Sequence, residues 1–229
     1  CVMIEPITGN MNLIMPADGF LAGLRELCTA HDTLLIFDEV MSGFRVALGG
    51  AQEVTGVTPD LSAFGKVIGG GMPVGAIAGP ARIMQRFSPL GDVYQAGTLS
   101  GNPIAMAAGL ASLELISRPG YFEALDASLG RLVDGLVQAA RRCGVPFSAQ
   151  HLGGMGGMYM RDTPPANFTE ATSTDVEFFK RFFHAMLDRG IYLPPSPFEA
   201  FFFSSAHSDE DLDATIAAAE ESFKVAAGK

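Results

Sequence analysis

Short, wholly apolar runs alternate with amphipathic stretches through the first half of the chain. Val2-Met3-Ile4 ends at Glu5-Pro6, and from Gly19 to His31 the residues Phe20, Leu21, Leu24, Leu27 and Cys28 recur at helical spacing. Thr33-Leu34-Leu35-Ile36-Phe37 is apolar again and stops at Asp38-Glu39. Apolar strands separated by a helix predict an α/β fold, a mainly parallel sheet covered by helices on both faces. Leu61-Ser62-Ala63-Phe64 and Val74 to Ala78 read as further strands. Pro80 to Arg86 predicts a short helix with proline in its first turn. Asn102-Pro103 opens a long helix over 104–116, rich in small residues that permit close packing.

Beyond Arg118-Pro119-Gly120 the texture changes. Tyr121 to Cys143 carries one apolar stripe of Leu125, Leu129, Leu132, Leu136 and Ala140, and Gly144 stops it. Pro146 to Gln150 and Met155 to Arg161 predict strands, 162–173 a loop, and Asp175 to Arg189 a phenylalanine-rich helix. Phe201-Phe202-Phe203 reads as a strand, and Ser208 with Asp211 forms a capping box for a last helix. The expected division is residues 1–116, an α/β layer, and residues 117–229, a small α+β domain.

Composition narrows the function classes. Apolar residues make up 48% and charged residues 17%, which predicts a packed core. A net charge of −10 offers no basic stripe to phosphates, so no nucleic acid is expected as partner. No apolar run approaches the ~20 residues of a membrane span. Three scattered cysteines, Cys1, Cys28 and Cys143, make no disulfide framework and suit a reducing, cytoplasmic setting. A chain that opens inside a strand, at Cys1, is expected to be part of a longer protein.

Lys66 is out of place. It stands between apolar runs and ahead of Gly69-Gly70-Gly71. An amine among apolar neighbours has a lowered pKa and can attack a carbonyl to form a Schiff base. The plain alternative is a lysine at a strand-to-loop turn with its head in solvent. Asp38 and Glu39 end a buried strand, where parallel sheets bind ligands, and a carboxylate there needs a partner. Gly65-Lys66 is no phosphate loop, because Asp60 and Val67 occupy required Gly and Ser/Thr positions. The histidines His31, His151, His184 and His207 lack metal-ligand spacing. In Gln95-Ala96-Gly97-Thr98-Leu99-Ser100-Gly101-Asn102-Pro103, small residues ahead of a helix offer N–H groups to an anion. Either Ser100 or Asn102 can cap that helix; Thr98 lies too early to do so.

Taken together, Glu5-Pro6, Phe37-Asp38-Glu39-Val40, Pro59-Asp60 and the run Gly65-Lys66-Val67-Ile68-Gly69-Gly70-Gly71-Met72-Pro73-Val74-Gly75-Ala76 closely resemble the class III, fold-type I pyridoxal-phosphate enzymes. Asp38 stands 28 residues before Lys66, as in that group. The resemblance implies the large-domain part of a pyridoxal-phosphate transferase, and a homodimer with active sites at the subunit interface. Lys66 would hold pyridoxal phosphate as a Schiff base and move protons, and Asp38 would pair with the pyridinium nitrogen. Val40 would pack on the ring, and Thr98 would bind the cofactor phosphate across the dimer interface. Asn10 would lie near the ring oxygen or substrate, and Glu199 at the substrate-carboxylate end.

The wording of Phe44-Arg45-Val46-Ala47-Leu48-Gly49-Gly50-Ala51-Gln52, of Leu187 to Ser196 and of Phe198-Glu199-Ala200 resembles the aminomutase branch of the class. That branch exchanges amino and oxo positions within glutamate 1-semialdehyde, through a pyridoxamine phosphate form, to give 5-aminolevulinate for tetrapyrroles. The alternatives are a class III ω-amino-acid aminotransferase, or an inactive piece that serves only in dimerisation. Family members carry a further N-terminal half with a phosphate-binding loop, a ring-stacking aromatic and a mobile lid. This stretch alone is therefore expected to be inactive.

Overall fold

The computed structural model describes residues 1–228 and places them in two compact units. The first comprises Cys1–Ile7 and Pro16–Tyr121; the second comprises Thr8–Met15 and the chain from Phe122 on. That division differs from the expected 1–116 and 117–229 in two respects: residues 117–121 fall in the first unit, and an early eight-residue segment, Thr8–Met15, folds with the C-terminal half.

In the first unit, strands β1 (Val2–Ile4), β2 (Leu35–Asp38), β3 (Leu61–Gly65) and β4 (Gly75–Ala78) lie in the order β1-β2-β3-β4. The first three are parallel and β4 runs antiparallel to β3. Helix α1 (Phe20–Ala30) links β1 to β2 as the apolar spacing predicts. Its Leu21 and Cys28 pack with Leu35 and Phe37 of β2, which are fully buried, and with Val2, Ile4 and Val57 around them. Burial of such side chains contributes about 1.5–3 kcal/mol each.

A short helix, α2 (Gly50–Thr55), stands where the sequence offered no helical period. Its first residue, Gly50, adopts a left-handed φ of +66°, and the segment is too brief and too glycine-rich to show periodicity. After β3 the chain makes a single 3-10 turn over Lys66–Gly69 before β4. Helices α3 (Ala81–Met84) and α4 (Pro103–Ile116) complete the unit.

The second unit is built on α5 (Tyr121–Cys143), whose expected stripe is buried: Leu125, Leu129, Leu132, Leu136 and Ala140. Strands β5 (Ser148–Leu152), β6 (Met155–Tyr159) and β7 (Phe201–Phe202) form an antiparallel sheet. The expected loop 162–173 contains one helical turn, α6 (Phe168–Ala171), because the Asn167 side chain caps the Glu170 N–H. Helices α7 (Val176–Leu187) and α8 (Asp209–Ala226) pack through Phe182 and Phe223, stacked 4.3 Å apart, with Phe147 edge-on to Phe223. The capping box of Ser208 and Asp211 is formed. Among the described residues no helix is long and apolar enough to cross a membrane.

Candidate active site

The parallel register decides which side chains share a face. Phe37 pairs with Ser62 and Asp38 with Ala63. Alternation therefore puts Phe37, Ser62 and Phe64 on one face, and Asp38, Ala63 and Gly65 on the other. Asp38 is the last residue of β2, and Lys66 immediately follows the last residue of the adjacent β3. Both thus stand at the C-terminal ends of neighbouring parallel strands, about 4.8 Å apart across the sheet and about 10 Å along it. Ligands bind at such ends in open α/β sheets.

Three local features shape this edge. Asp38 Oδ1 accepts from the Val40 N–H at 3.1 Å, which closes a tight turn right after the strand. Val40 is brought against β3: a Cβ placed on Gly65 would lie 3.3 Å from Val40 Cγ1. Lys66 has a φ of +49°, a left-handed conformation that costs a non-glycine residue of order 1–3 kcal/mol and clusters at functional sites.

Lys66 is exposed in this chain, where its apolar flanks predict a desolvated amine. Phe64 and Ile68 turn toward α4 and line a cleft of about 930 Å³ with Pro73, Leu99, Met106 and Leu110, so they do not shield the amine. Neither Lys66 nor Asp38 lines that cleft.

The turn bearing Lys66 is set by α4. A Cβ on Gly109 would fall 2.2 Å from the Ile68 carbonyl oxygen, and one on Gly70 (φ +55°) would fall 2.4 Å from the Ala108 carbonyl oxygen. Only glycine permits this approach of backbone to backbone. The cap of α4 is Asn102, whose Oδ1 accepts from Ala105 N at 3.0 Å. Thr98 is exposed on the preceding turn and caps nothing in α4.

Asn10 and Glu199 belong to the second unit. There Asn12, which no motif in the sequence marks, organises both neighbourhoods. Its side chain is buried, its φ is +71°, and its Nδ2 donates to the carbonyls of Met158 at 3.0 Å and Pro197 at 2.9 Å. It thereby fixes the segment bearing Asn10 and the loop bearing Glu199 to β6. An asparagine, which turns left-handed more readily than other non-glycine residues, two residues after Gly9-Asn10 is the sequence signal for it. In Arg45, within residues 44–52, burial pulls the guanidinium down to about 10, and its Nε donates to the Met41 carbonyl at 2.8 Å.

A carboxylate and a primary amine thus stand at adjacent strand ends, with a valine held beside β3 and a glycine-clamped turn; a primary amine is a group that condenses with carbonyls. The chain belongs to the class-III aminotransferase family, whose model matches residues 1–218. Two curated relatives are glutamate-1-semialdehyde 2,1-aminomutases. That of Bordetella avium (strain 197N) is 60% identical and that of Laribacter hongkongensis (strain HLHK9) 57% identical, each over 223 residues. Each alignment covers 97% of this chain and 52% of the relative, so the chain spans about half the length of these proteins. Among solved structures, an omega-transaminase from Sphaerobacter thermophilus aligns with a TM-score of 0.92 at 33% identity, over 100% of this chain and 52% of that one. A glutamate-1-semialdehyde aminomutase from Pseudomonas aeruginosa PAO1 in complex with PMP shares the fold, with a TM-score of 0.86 at 24% identity over 98% of this chain and 52% of that one.

Proposed function

We propose that this chain is the C-terminal part of a pyridoxal-phosphate-dependent aminomutase that converts glutamate 1-semialdehyde to 5-aminolevulinate in the cytoplasm, as a homodimer. The observation that carries the reading is the placement of Asp38 and Lys66 at the C-terminal ends of adjacent parallel strands. The donor set fits the cofactor: one carboxylate for a ring N–H, one primary amine for an aldehyde, and an apolar side chain for a ring face. When bound, pyridoxal phosphate supplies an electron sink for the carbon that loses a proton.

The chain's own residues then have distinct tasks. Asp38 would keep the ring nitrogen protonated, Val40 would pack on the ring, and the Lys66 Nζ would hold the aldehyde and then carry protons between carbons. Thr98, exposed and free of capping duty, would meet the cofactor phosphate of the partner subunit. Asn10 would lie near the ring oxygen or substrate, and Glu199 at the substrate-carboxylate end. The identity of 57–60% to named aminomutases supports this substrate.

The 33% identity to an omega-transaminase favours a second reading, intermolecular transfer to a separate acceptor. Incubating the full-length protein with glutamate 1-semialdehyde and no amino acceptor separates them. The aminomutase yields 5-aminolevulinate under these conditions, and Lys66→Ala abolishes it together with the visible absorbance of covalently held cofactor. Product that appears only after an oxo acid is added establishes the transaminase. Full-length protein with no cofactor absorbance at all leaves only a structural role in dimerisation.

A further inference from the structure

Among the described residues Glu39 is the one charged side chain that is fully buried. A buried carboxylate is tolerated only where donors converge on it. Four do so here. Oε2 accepts from Ser42 Oγ at 2.7 Å and from Ala51 N at 2.9 Å. Oε1 accepts from Gln52 N at 3.3 Å and Gln52 Nε2 at 3.4 Å. The same Gln52 Nε2 donates to Ser62 Oγ of β3 at 3.0 Å.

The surrounding space is closed. A Cβ on Gly50 would lie 2.6 Å from Oε2, and one on Gly43 2.7 Å from the Glu39 carbonyl oxygen. The Glu39 main chain is held too: its N–H donates to the Ala63 carbonyl at 2.9 Å, and its carbonyl accepts from Gly43 N at 2.8 Å. One residue, through its side chain and main chain, thus joins the end of β2, the loop after it, the start of α2 and β3.

The residues on either side of Glu39 are Asp38 and Val40. We propose that Glu39 is a positioning residue: it clamps the turn on which Asp38 and Val40 stand, so that both meet the cofactor ring in a single orientation. This rests on the proposed cofactor site. The position calls for a carboxylate because every neighbour is a donor, and an amide of equal size would turn an N–H₂ toward N–H groups.

The test uses the full-length enzyme loaded with pyridoxal phosphate, unsubstituted and with Glu39→Gln. Visible circular dichroism reports ring orientation, and the pH dependence of the bound-cofactor absorbance reports the contact with Asp38. Glu39→Gln is expected to weaken the dichroic band, to move the absorbance midpoint by about half a pH unit or more, and to lower kcat about tenfold or more with little change in KM. A purely structural role would lower Tm and leave band and midpoint untouched, which overturns the proposal. If Glu39→Gln does not fold, Gln52→Ala removes the side-chain donor to Oε1 and with it the link to Ser62; an unchanged band and midpoint there overturns it equally. An unsubstituted enzyme without a cofactor band overturns the cofactor reading, and this inference with it, whereas a normal band that the variants leave unchanged overturns this inference alone.

Discussion

Asp60 shows how one carboxylate can organise three elements. It sits between β2 and β3, where Oδ2 accepts from Arg25 Nη1 of α1 at 2.7 Å and from the Leu35 N–H at 2.9 Å. Oδ1 accepts from Arg82 Nη2 of α3 at 3.2 Å. Burial acts to raise its pKa, but the Leu35 N–H and the charges of Arg25 and Arg82 outweigh that and hold the carboxyl below the ordinary value. A depressed folded-state pKa stabilises fully above the unfolded value of about 3.9, and that contribution is lost as pH falls through the folded value. Asp60→Asn is therefore expected to cost about 1–2 kcal/mol at pH 7. In urea unfolding at pH 7 and pH 3 the gap between variant and parent should narrow at the lower pH; an equal gap at both refutes the linkage. Residues of this kind are half-legible in a sequence. Lys66 and Asp38 stood out because a cation among apolar runs and an acid at a strand end are locally anomalous. The duties of Glu39 and Asn12 were hidden, because most of their partners lie 12 to 185 residues away.

At the scale of elements, α4 and the 3-10 turn Lys66–Gly69 form the contact that aims the lysine. The small residues of 104–116 announced close packing, yet nothing in the sequence named the turn as its partner, since backbone-to-backbone approach leaves no side-chain pattern. Two opposing effects can be ranked at Gly109. Alanine in a helix interior is favoured over glycine by about 0.5–1 kcal/mol. Against this, a Cβ 2.2 Å from the Ile68 carbonyl forces helix and turn apart, and overpacking costs about 1–3 kcal/mol. The clash wins. Gly109→Ala should lower stability by about 1–2 kcal/mol in denaturant unfolding and shift the cofactor absorbance by displacing Lys66. Gly23, in α1 with nothing within 4 Å of its Cβ position, supplies the contrast: Gly23→Ala should gain about 0.5–1 kcal/mol. A stabilised Gly109→Ala with unaltered absorbance would show that the turn is not set by the helix. The parallel strands and α1 were readable from apolar runs and 3.6-residue spacing, whereas α2 was not, because its start is held by the side chain of Glu39 rather than by its own sequence.

For the molecule as a whole, the consequential feature is that sequence order and spatial order part company at Thr8–Met15. A texture change near residue 116 was plain in the sequence, but the membership of this segment in the second unit was not, since its bonds run to residues far along the chain. The Leu13 carbonyl accepts from Gln150 Nε2 at 2.8 Å and from the Tyr159 hydroxyl. Burial, only partly offset by a hydrogen bond with Gln150, raises the pKa of that phenol. Leu13 is fully buried, and the Asn12 amide bridges β6 to the loop at Pro197. A chain beginning at Phe122 would therefore leave the carbonyls of Met158 and Pro197 and the Tyr159 hydroxyl without these partners, at about 1–3 kcal/mol for each that stays buried, and would open a cavity where Leu13 sat, costing about 2–5 kcal/mol more. Those losses together match the whole stability of an ordinary small domain, about 5–15 kcal/mol. Such a chain is expected to lack a cooperative thermal transition, and the same chain preceded by residues 8–15 on a flexible linker is expected to regain one. Near-UV circular dichroism on heating decides it: equally sharp melting of both would mean that the second unit stands without the segment.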